Sequence, residues 1–295
     1  MSHVPDLVAR IAHDNKLHGA FFARALGGLG EEELGDLDGY VDHCLGEGAS
    51  VEELAADYKL VVADTLREQL HFLRHGRYRF SRYEEVAGSV YLEPRYMTSY
   101  MRGLALTAFF WPNHAALRRF FAATLAKYGR GRYLEVGPGH GFFFLAALRS
   151  GRFSACEGVD ISPSSVALTE RLLRARGFDS FRLHVGDFLA FEPEACADLL
   201  VMGEVLEHVE RPDRFLARAA QVTAAGGAVH LTTCVNSPAF DHIHLFRSVS
   251  EIEELCAAVG LAVEERLVLP YEGTTLEESA RRRLAVNVAL VLRHA

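Results

Sequence analysis

The chain has 295 residues, 49% of them apolar, enough to bury a sizeable core in one large domain or in a domain with an elaboration. Its 39 acidic and 31 basic side chains give a net charge of −8 and a pI near 6.0, which argues against a nucleic-acid backbone as the main partner. The five cysteines (Cys44, Cys156, Cys196, Cys234, Cys256) form no C-x-x-C pair, the first ten residues lack a basic-then-apolar leader, and no apolar run is long enough to span a bilayer, so a reduced, cytoplasmic protein without a membrane partner is expected.

Residues 1 to about 125 read as helical. Leu34, Leu37, Val41 and Leu45 recur at helical spacing. Ser50 and Glu53 form a capping box, after which Leu54, Tyr58, Val61, Val62, Leu66, Leu70 and Leu73 predict one apolar face. Lys59, Arg67 and Glu68 are expected towards solvent. A further helix begins at Pro112, with an apolar face of Leu117, Phe120, Phe121 and Leu125. Between them lie Tyr78, Tyr83, Tyr91, Tyr96, Tyr100, Phe109, Phe110, Trp111 and His114, most of them expected in a core. Tyr96 and Tyr100 stand one helical turn apart and could present both hydroxyls to one place, which makes them candidate substrate-binding residues.

From residue 131 the pattern alternates. Strands are predicted at 132–136, 156–160, 182–186, 198–202 and 228–233, with helices at 141–149, 163–176 and 212–224. Gly226-Gly227 marks a turn before the fifth strand. A helix at 249–259 precedes two apolar segments, 262–269 and 284–293, which complete seven strands, one of them antiparallel. The expected fold is α/β: a Rossmann-like, doubly wound, mostly parallel seven-stranded sheet behind a helical N-terminal lid. The expected division is a lid and substrate-recognition region at 1–125 and a cofactor-binding domain at 126–295.

The organising stretch is Tyr133-Leu134-Glu135-Val136-Gly137-Pro138-Gly139-His140-Gly141-Phe142-Phe143, a strand, a glycine turn and a helix start. Alternate glycines let a ligand approach the backbone closely. The third glycine of a dinucleotide fingerprint would fall at 142, which is Phe. A pyrophosphate wants no nearby carboxylate, whereas Glu135 suits a ligand with an ammonium group. S-adenosylmethionine (SAM) has an ammonium, a ribose and no phosphate. Asp160, followed by Ile161, ends the second strand where a nucleotide fold places its ribose-binding acid, and Ser162 is free to cap the next helix. Asp187, before Phe188, ends the third strand and could accept from an adenine amine. After the fourth strand, Met202-Gly203-Glu204-Val205-Leu206-Glu207-His208-Val209 concentrates two carboxylates and an imidazole at the ligand edge of the sheet. On a helical turn Glu204 and His208 would share a face.

Together these motifs resemble the class I SAM-dependent methyltransferase family over about residues 126 to 270, and the last is similar to that of ubiquinone-biosynthesis O-methyltransferases. The resemblance implies that Glu135 and Gly137, in the loop completed by Gly139 and Gly141, hold the methionine end. It places Asp160 and Ile161 at the ribose, Asp187 and Phe188 at the adenine, and Gly203 and Glu204 beside methyl transfer. The first 125 residues match no named member; in the family such a region commonly forms a lid and sets substrate choice. No Asp/Asn-Pro-Pro-aromatic motif follows the fourth strand, which disfavours an amino-directed nucleic-acid methylase.

The loop after the fifth strand contains Asp241, His242 and His244. In an extended chain the two imidazoles face one side, and either could act as general base, as could His208. Glu204 is a further catalytic candidate, and Glu207 and Asp241 are candidate substrate contacts. Three adjacent residues rarely converge on one ion, so no metal is expected. The function expected is methyl transfer from SAM to a small-molecule metabolite at O, N or C. The alternative is a SAM-fold enzyme with another outcome, such as cyclisation of SAM itself or transfer of another SAM carbon. The intact loop, Asp160 and Asp187 disfavour a silent scaffold, and Phe142 and Glu135 disfavour a dinucleotide oxidoreductase. Oligomeric state is left open.

Overall fold

The computed structural model describes residues 2–13, 16–88 and 90–295. Its N-terminal part is helical: α1 (Val4–Ala12), α2 (Lys16–Gly27), α3 (Glu31–Gly46), α4 (Val51–His75), α5 (Tyr83–Ala87), α6 (Pro94–Phe110) and α7 (Pro112–Tyr128). The predicted box starts α4: Ser50 Oγ accepts from Glu53 N at 3.1 Å, and Glu53 Oε2 accepts from Ser50 N at 2.7 Å. Leu54, Tyr58 and Val61 are buried as expected. Beyond them the inward stripe turns to Asp64, Glu68 and Phe72, and the expected apolar face is wrong: Leu66, Leu70 and Leu73 are 61%, 56% and 54% exposed. The reason is polar company on the inner side. Tyr96 Oη donates to Asp64 at 2.7 Å, and Arg79 Nε donates to Glu68 at 3.0 Å, so Glu68 is buried rather than solvated.

Phe22 and Tyr58 each meet Phe110 edge to face in the helical core, with Phe22 and Phe110 centroids 4.8 Å apart. This core is continuous with the sheet half through Phe142, which packs on Tyr40 and Phe109. Helix α7 lies on the sheet, where Phe121, Leu125 and Tyr128 join the cluster of Tyr133 and Phe144.

The second part alternates as predicted: β1 (Gly131–Val136), α8 (Phe142–Ser150), β2 (Phe153–Asp160), α9 (Pro163–Ala175), β3 (Arg182–Val185), β4 (Ala197–Gly203), α10 (Pro212–Val222), β5 (Thr223–Val235), α11 (Val249–Ala258), β6 (Leu261–Leu269), α12 (Leu276–Arg282) and β7 (Val286–His294). The strands form one seven-stranded sheet in the order β3-β2-β1-β4-β5-β7-β6. The first five are parallel, and β7 runs antiparallel between β5 and β6. Strand order reverses between β1 and β4, and the carboxyl ends of these two strands open the crevice where such sheets bind ligands. Leu199, Leu200, Val201 and Met202 of β4 are all fully buried, the continuous apolar run of a strand covered on both faces. The Gly226-Gly227 turn is not a separate turn. Thr223 already pairs with Ala197 and Ala228 with Leu199, so the glycines sit in an irregularity inside β5. Among the described residues no helix is long and apolar enough to cross a membrane.

One glycine sets how closely the helices approach. A Cβ on Gly103 of α6 would lie 2.2 Å from the Asp57 carbonyl oxygen of α4. Gly103→Ala should therefore destabilise the protein by about 1–3 kcal/mol, read as a lower urea midpoint. An unchanged midpoint would contradict this α4–α6 packing.

Candidate functional site

The glycine loop is built by the end of β1. Gly137 N donates to Val159 O at 2.8 Å, tying β1 to β2, and Gly141 N closes a turn onto Pro138 O at 2.7 Å. Gly137 and Gly141 have φ +66 and +82, and a Cβ on either would press at 3.0 Å against Val205 or Thr169. Gly139, at φ +57, lies between them and contacts Asp160. The loop is thus fixed by left-handed backbone that only glycine adopts without strain.

Asp160 faces this loop. Its Oδ1 accepts from Ser162 N at 2.8 Å, and its Oδ2 accepts from Ser165 Oγ at 2.9 Å and Gly139 N at 3.4 Å. Ser162, not Asp160, caps α9 by accepting from Ser165 N. The aspartate is therefore not consumed as a helix cap, and Oδ1, with one donor, keeps a lone pair for a ligand hydroxyl. Burial raises its pKa. Glu135 is 2% exposed, and its Oε2 accepts from Tyr133 Oη at 2.5 Å. Burial, reinforced by the nearby Asp160 charge, lifts its carboxyl to about 8.

These groups line one cleft of about 600 Å³ between the sheet edge and the helical part. Gly137, Gly139, Asp160, Ile161, Asp187, Phe188 and Gly203 line it, as does Glu135. Gly141 lies beneath the loop, against Thr169 of α9. Asp187 stays at the exposed end, where its Oδ1 accepts from Leu189 N at 2.9 Å.

The far end of the cleft holds Glu204, His208, Asp241 and His242, with Tyr100 and Tyr91. Glu204 and His208 do not share the face of an α-helical turn. Glu204 leaves β4 at φ +53, held by donation from its N–H to Thr232 O and Thr232 Oγ1, each at 3.0 Å, and only Leu206–His208 coil as a 3-10 turn. A non-glycine residue held there stores about 1–3 kcal/mol of strain, a feature that clusters at functional sites. Glu204 Oε1 is buried without a hydrogen-bond partner.

Asp241 is 2% exposed and accepts from Tyr91 Oη at 3.2 Å and from Tyr100 Oη at 3.3 Å. His208 Nδ1 faces the Asp241 main-chain oxygen at 3.2 Å and Asp241 Oδ2 at 3.4 Å, and Tyr91 Oη at 3.0 Å. Both aspartate oxygens can only accept, so the proton is assigned to Nδ1, and Nε2 keeps the lone pair. The same reasoning applies to His242, whose Nδ1 donates to Ser237 O at 2.5 Å. Burial pulls the His242 pKa down to about 4, so this ring is neutral at pH 7.

Besides Gly141, three of the predicted site residues lie outside the cleft lining. Tyr96 stacks on Tyr100 with centroids 5.8 Å apart, yet its hydroxyl goes to Asp64 and it does not line the cleft. Glu207 is fully buried beneath the site. It accepts from Thr233 Oγ1 at 2.7 Å, and its main-chain oxygen takes the Ile243 and His244 N–H groups, so it anchors the loop instead of meeting substrate. Burial, reinforced by the adjacent Glu204 carboxyl, pushes the Glu207 pKa well above the usual range. His244 does not line the cleft with His242, and its ring packs against Phe246 with centroids 4.5 Å apart. Conversely, sequence reasoning placed Tyr91 among core aromatics, although its hydroxyl is central to the site.

The chain also gathers donor groups able to hold a metal ion. His208, Asp241 and His242 form one such group and Glu207, Cys234 and His242 another, with the donor atoms of each within 4.8 Å of one another. Of the three neighbouring residues considered in the sequence, Asp241 and His242 take part, joined by His208 or Glu207 from the turn after β4 and by Cys234 of β5, and His244 belongs to neither group. Imidazole and carboxylate donors suit Zn²⁺, Fe²⁺ or Mn²⁺.

Residues 134–231 match the family described as a methyltransferase domain. Ajmaline N-methyltransferase of Rauvolfia serpentina is 28% identical over 120 residues, which is 40% of this chain and 38% of that protein. EEF1A lysine methyltransferase 2 of Mus musculus is 38% identical over 56 residues, 19% of this chain and 22% of that protein. The chain thus spans well under two thirds of the length of both curated relatives. Among solved structures, the mitomycin 7-O-methyltransferase MmcR superimposes with TM-score 0.53 at 19% identity, covering 83% of this chain and 70% of that one. The [4+2]-cyclase SpnF gives 0.51 at 18%, covering 63% and 82%. Fold and site define the class, a Rossmann-like methyltransferase fold with its cleft at the β1/β4 switch point. The methyltransferase-domain match covers residues 134–231, the stretch from β1 to β5 that carries this cleft.

The raised Glu135 pKa yields a pH signature. An ammonium group bound at a carboxylate favours its charged form, so binding should release a proton from Glu135 below about pH 8. SAM affinity is expected to weaken as pH falls from 8 to 6, and calorimetry in buffers of different ionisation enthalpy should show proton release at pH 7. Glu135→Gln should abolish both effects. A pH-independent affinity in the unaltered protein would remove Glu135 from the ammonium.

Proposed function

We propose that this protein transfers the methyl group of SAM to a hydroxyl of a small-molecule metabolite. The observation that carries the reading is one continuous cleft joining the Asp160 loop to the His208–Asp241–His242 cluster. In this reading Glu135 takes the ammonium, Asp160 the ribose hydroxyls, and Ile161, Asp187 and Phe188 the adenine end. The acceptor occupies the aromatic end, walled by Tyr83, Tyr91, Tyr100 and Met97. A cavity of this size is suited to a small ligand.

The sulfonium already makes the methyl electrophilic, so the protein's task is to align the acceptor, exclude water and receive one proton. His208 is the proposed base. Asp241 and Tyr91 hold its Nδ1–H, which leaves Nε2 to take the hydroxyl proton. The acceptor oxygen forms its bond to the methyl carbon as the carbon–sulfur bond breaks. The bonding pair returns to sulfur, which leaves as the neutral thioether of S-adenosylhomocysteine. Neutral His242 and the Glu204 carboxyl complete the polar wall around the acceptor.

The donor groups support a second reading, in which His208, Asp241 and His242 would hold a divalent cation whose Lewis acidity would make the acceptor hydroxyl more acidic. The two readings differ in metal dependence. Activity that survives dialysis against a strong chelator supports the imidazole base, whereas loss with recovery on adding one divalent ion supports the cation.

His208→Asn should lower kcat by about 10²–10⁴-fold while leaving SAM affinity within a few fold. The reaction mixture should contain S-adenosylhomocysteine and a product one methyl heavier than the acceptor. Methylthioadenosine in its place would establish the alternative, transfer of another SAM carbon or cyclisation of SAM.

A further inference from the structure

The cleft lining includes a corner that the proposed mechanism does not use. Trp111, between α6 and α7, His114, in the first turn of α7, and Asn287 of β7 all line it. The Trp111 and His114 ring centroids are 4.9 Å apart. Asn287 is tied to the same corner, because Asn113, the residue before His114, donates from Nδ2 to Asn287 Oδ1 at 3.1 Å.

The hydrogen bonds of this corner fix which atoms are free. Thr107 Oγ1 donates to Leu104 O at 2.6 Å, so its proton is spent and it accepts from His114 Nδ1, at 2.9 Å. The His114 proton is thereby assigned to Nδ1, and Nε2 keeps its lone pair. Burial pulls the pKa of this ring down to about 4, so it is neutral at pH 7. Asn113 Nδ2 also donates to Pro270 O at 3.1 Å, which sets the orientation of its amide and makes the Asn287 atom that meets it the oxygen. The Asn287 amide nitrogen is then left over. Among the described residues neither His114 Nε2 nor Asn287 Nδ2 has a partner, and neither is sealed away as His230 Nε2 is. One accepts and the other donates, at the wall of one cavity. Beside them Trp111 has committed its Nε1–H to Tyr58 Oη at 3.1 Å and offers ring surface. The edge of a carboxamide presents the complement, an N–H and a C=O side by side.

We propose that Trp111, His114 and Asn287 form a recognition subsite for the acceptor, reading a carboxamide edge carried on a flat ring system. This rests on the reading of the cleft as a methyl-transfer site. It gives the acceptor a second polar group besides the hydroxyl at His208. A site built with an open donor and acceptor rejects an analogue lacking the matching group, because its own polar atoms would be covered unpaired.

Trp111 is the single tryptophan of the chain, so its fluorescence reports occupancy of this corner. Two probes of one shape, a naphthalene carboxamide and the corresponding methyl ketone, are titrated with and without S-adenosylhomocysteine. The unaltered protein should bind the carboxamide about tenfold tighter, because only the amide donates to His114 Nε2. His114→Phe keeps a ring and leaves Thr107 bonded to Leu104, and should make the two probes equal. Asn287→Asp keeps an oxygen for Asn113 but replaces the donor with an acceptor. It should weaken both probes about tenfold, and it serves as the second variant should the phenylalanine form fail to fold. Calorimetric affinity for S-adenosylhomocysteine should stay within a few fold in both variants, which separates loss of the subsite from collapse of the cleft. Equal affinity of the unaltered protein for the two probes, or no quenching by either, overturns the assignment. So does a carboxamide preference that survives His114→Phe. A carboxamide preference in a protein that binds neither SAM nor S-adenosylhomocysteine would instead overturn the methyl-transfer reading.

Discussion

A buried carboxylate holds the two parts of this molecule to a common site. Asp241 lies in the loop after β5, yet its hydrogen-bond donors are Tyr91, just before α6, and Tyr100 within α6. A carboxylate withdrawn from water is tolerated only when it is hydrogen-bonded. Moving the helical part away would strip Asp241 of these donors and leave it unpaired. The Tyr91 main chain is tied in turn to Ser162 at the start of α9, at 3.1 Å. The helical part is therefore a wall of the site, fastened at the residue that orients His208.

The chemistry of the cleft follows from where acids are allowed to keep charge. Burial, reinforced by the Asp160 charge, raises the pKa of the Glu135 carboxyl to about 8. Burial, and then the neighbouring Glu204 carboxyl, raises the Glu207 pKa well above the usual range. Glu204 is held in left-handed backbone by Thr232, an arrangement that adds no stability and keeps its carboxyl in the wall of the cleft. The polarity of the site is thus poised for a ligand bearing positive charge, as the sulfonium and ammonium of SAM do.

Much of the fold was legible because parallel strands leave a strong mark. The buried run Leu199–Met202, the glycine loop and the acids at strand ends could be placed from pattern alone. Failures came where tertiary polar contacts decide. The apolar stripe of α4 was extended to Leu66, Leu70 and Leu73 because nothing local reveals that Tyr96 and Arg79 make the inner side polar. The same contact took Tyr96 out of the cleft. Glu207 and His244 were misplaced because spacing shows adjacency, not which side of a loop is turned inward. Arg118 sits next to Arg119 in the sequence, and the two read alike. One lies buried over Phe142 and the other is an exposed partner of Glu33.

The central claim is that this cleft is built for SAM. Its most direct test is calorimetric titration of the purified protein with SAM and S-adenosylhomocysteine, with NAD and NADP as controls. Micromolar binding of both sulfur compounds, with no heat from either dinucleotide, is the predicted result. Binding of a dinucleotide in preference to SAM would contradict the account.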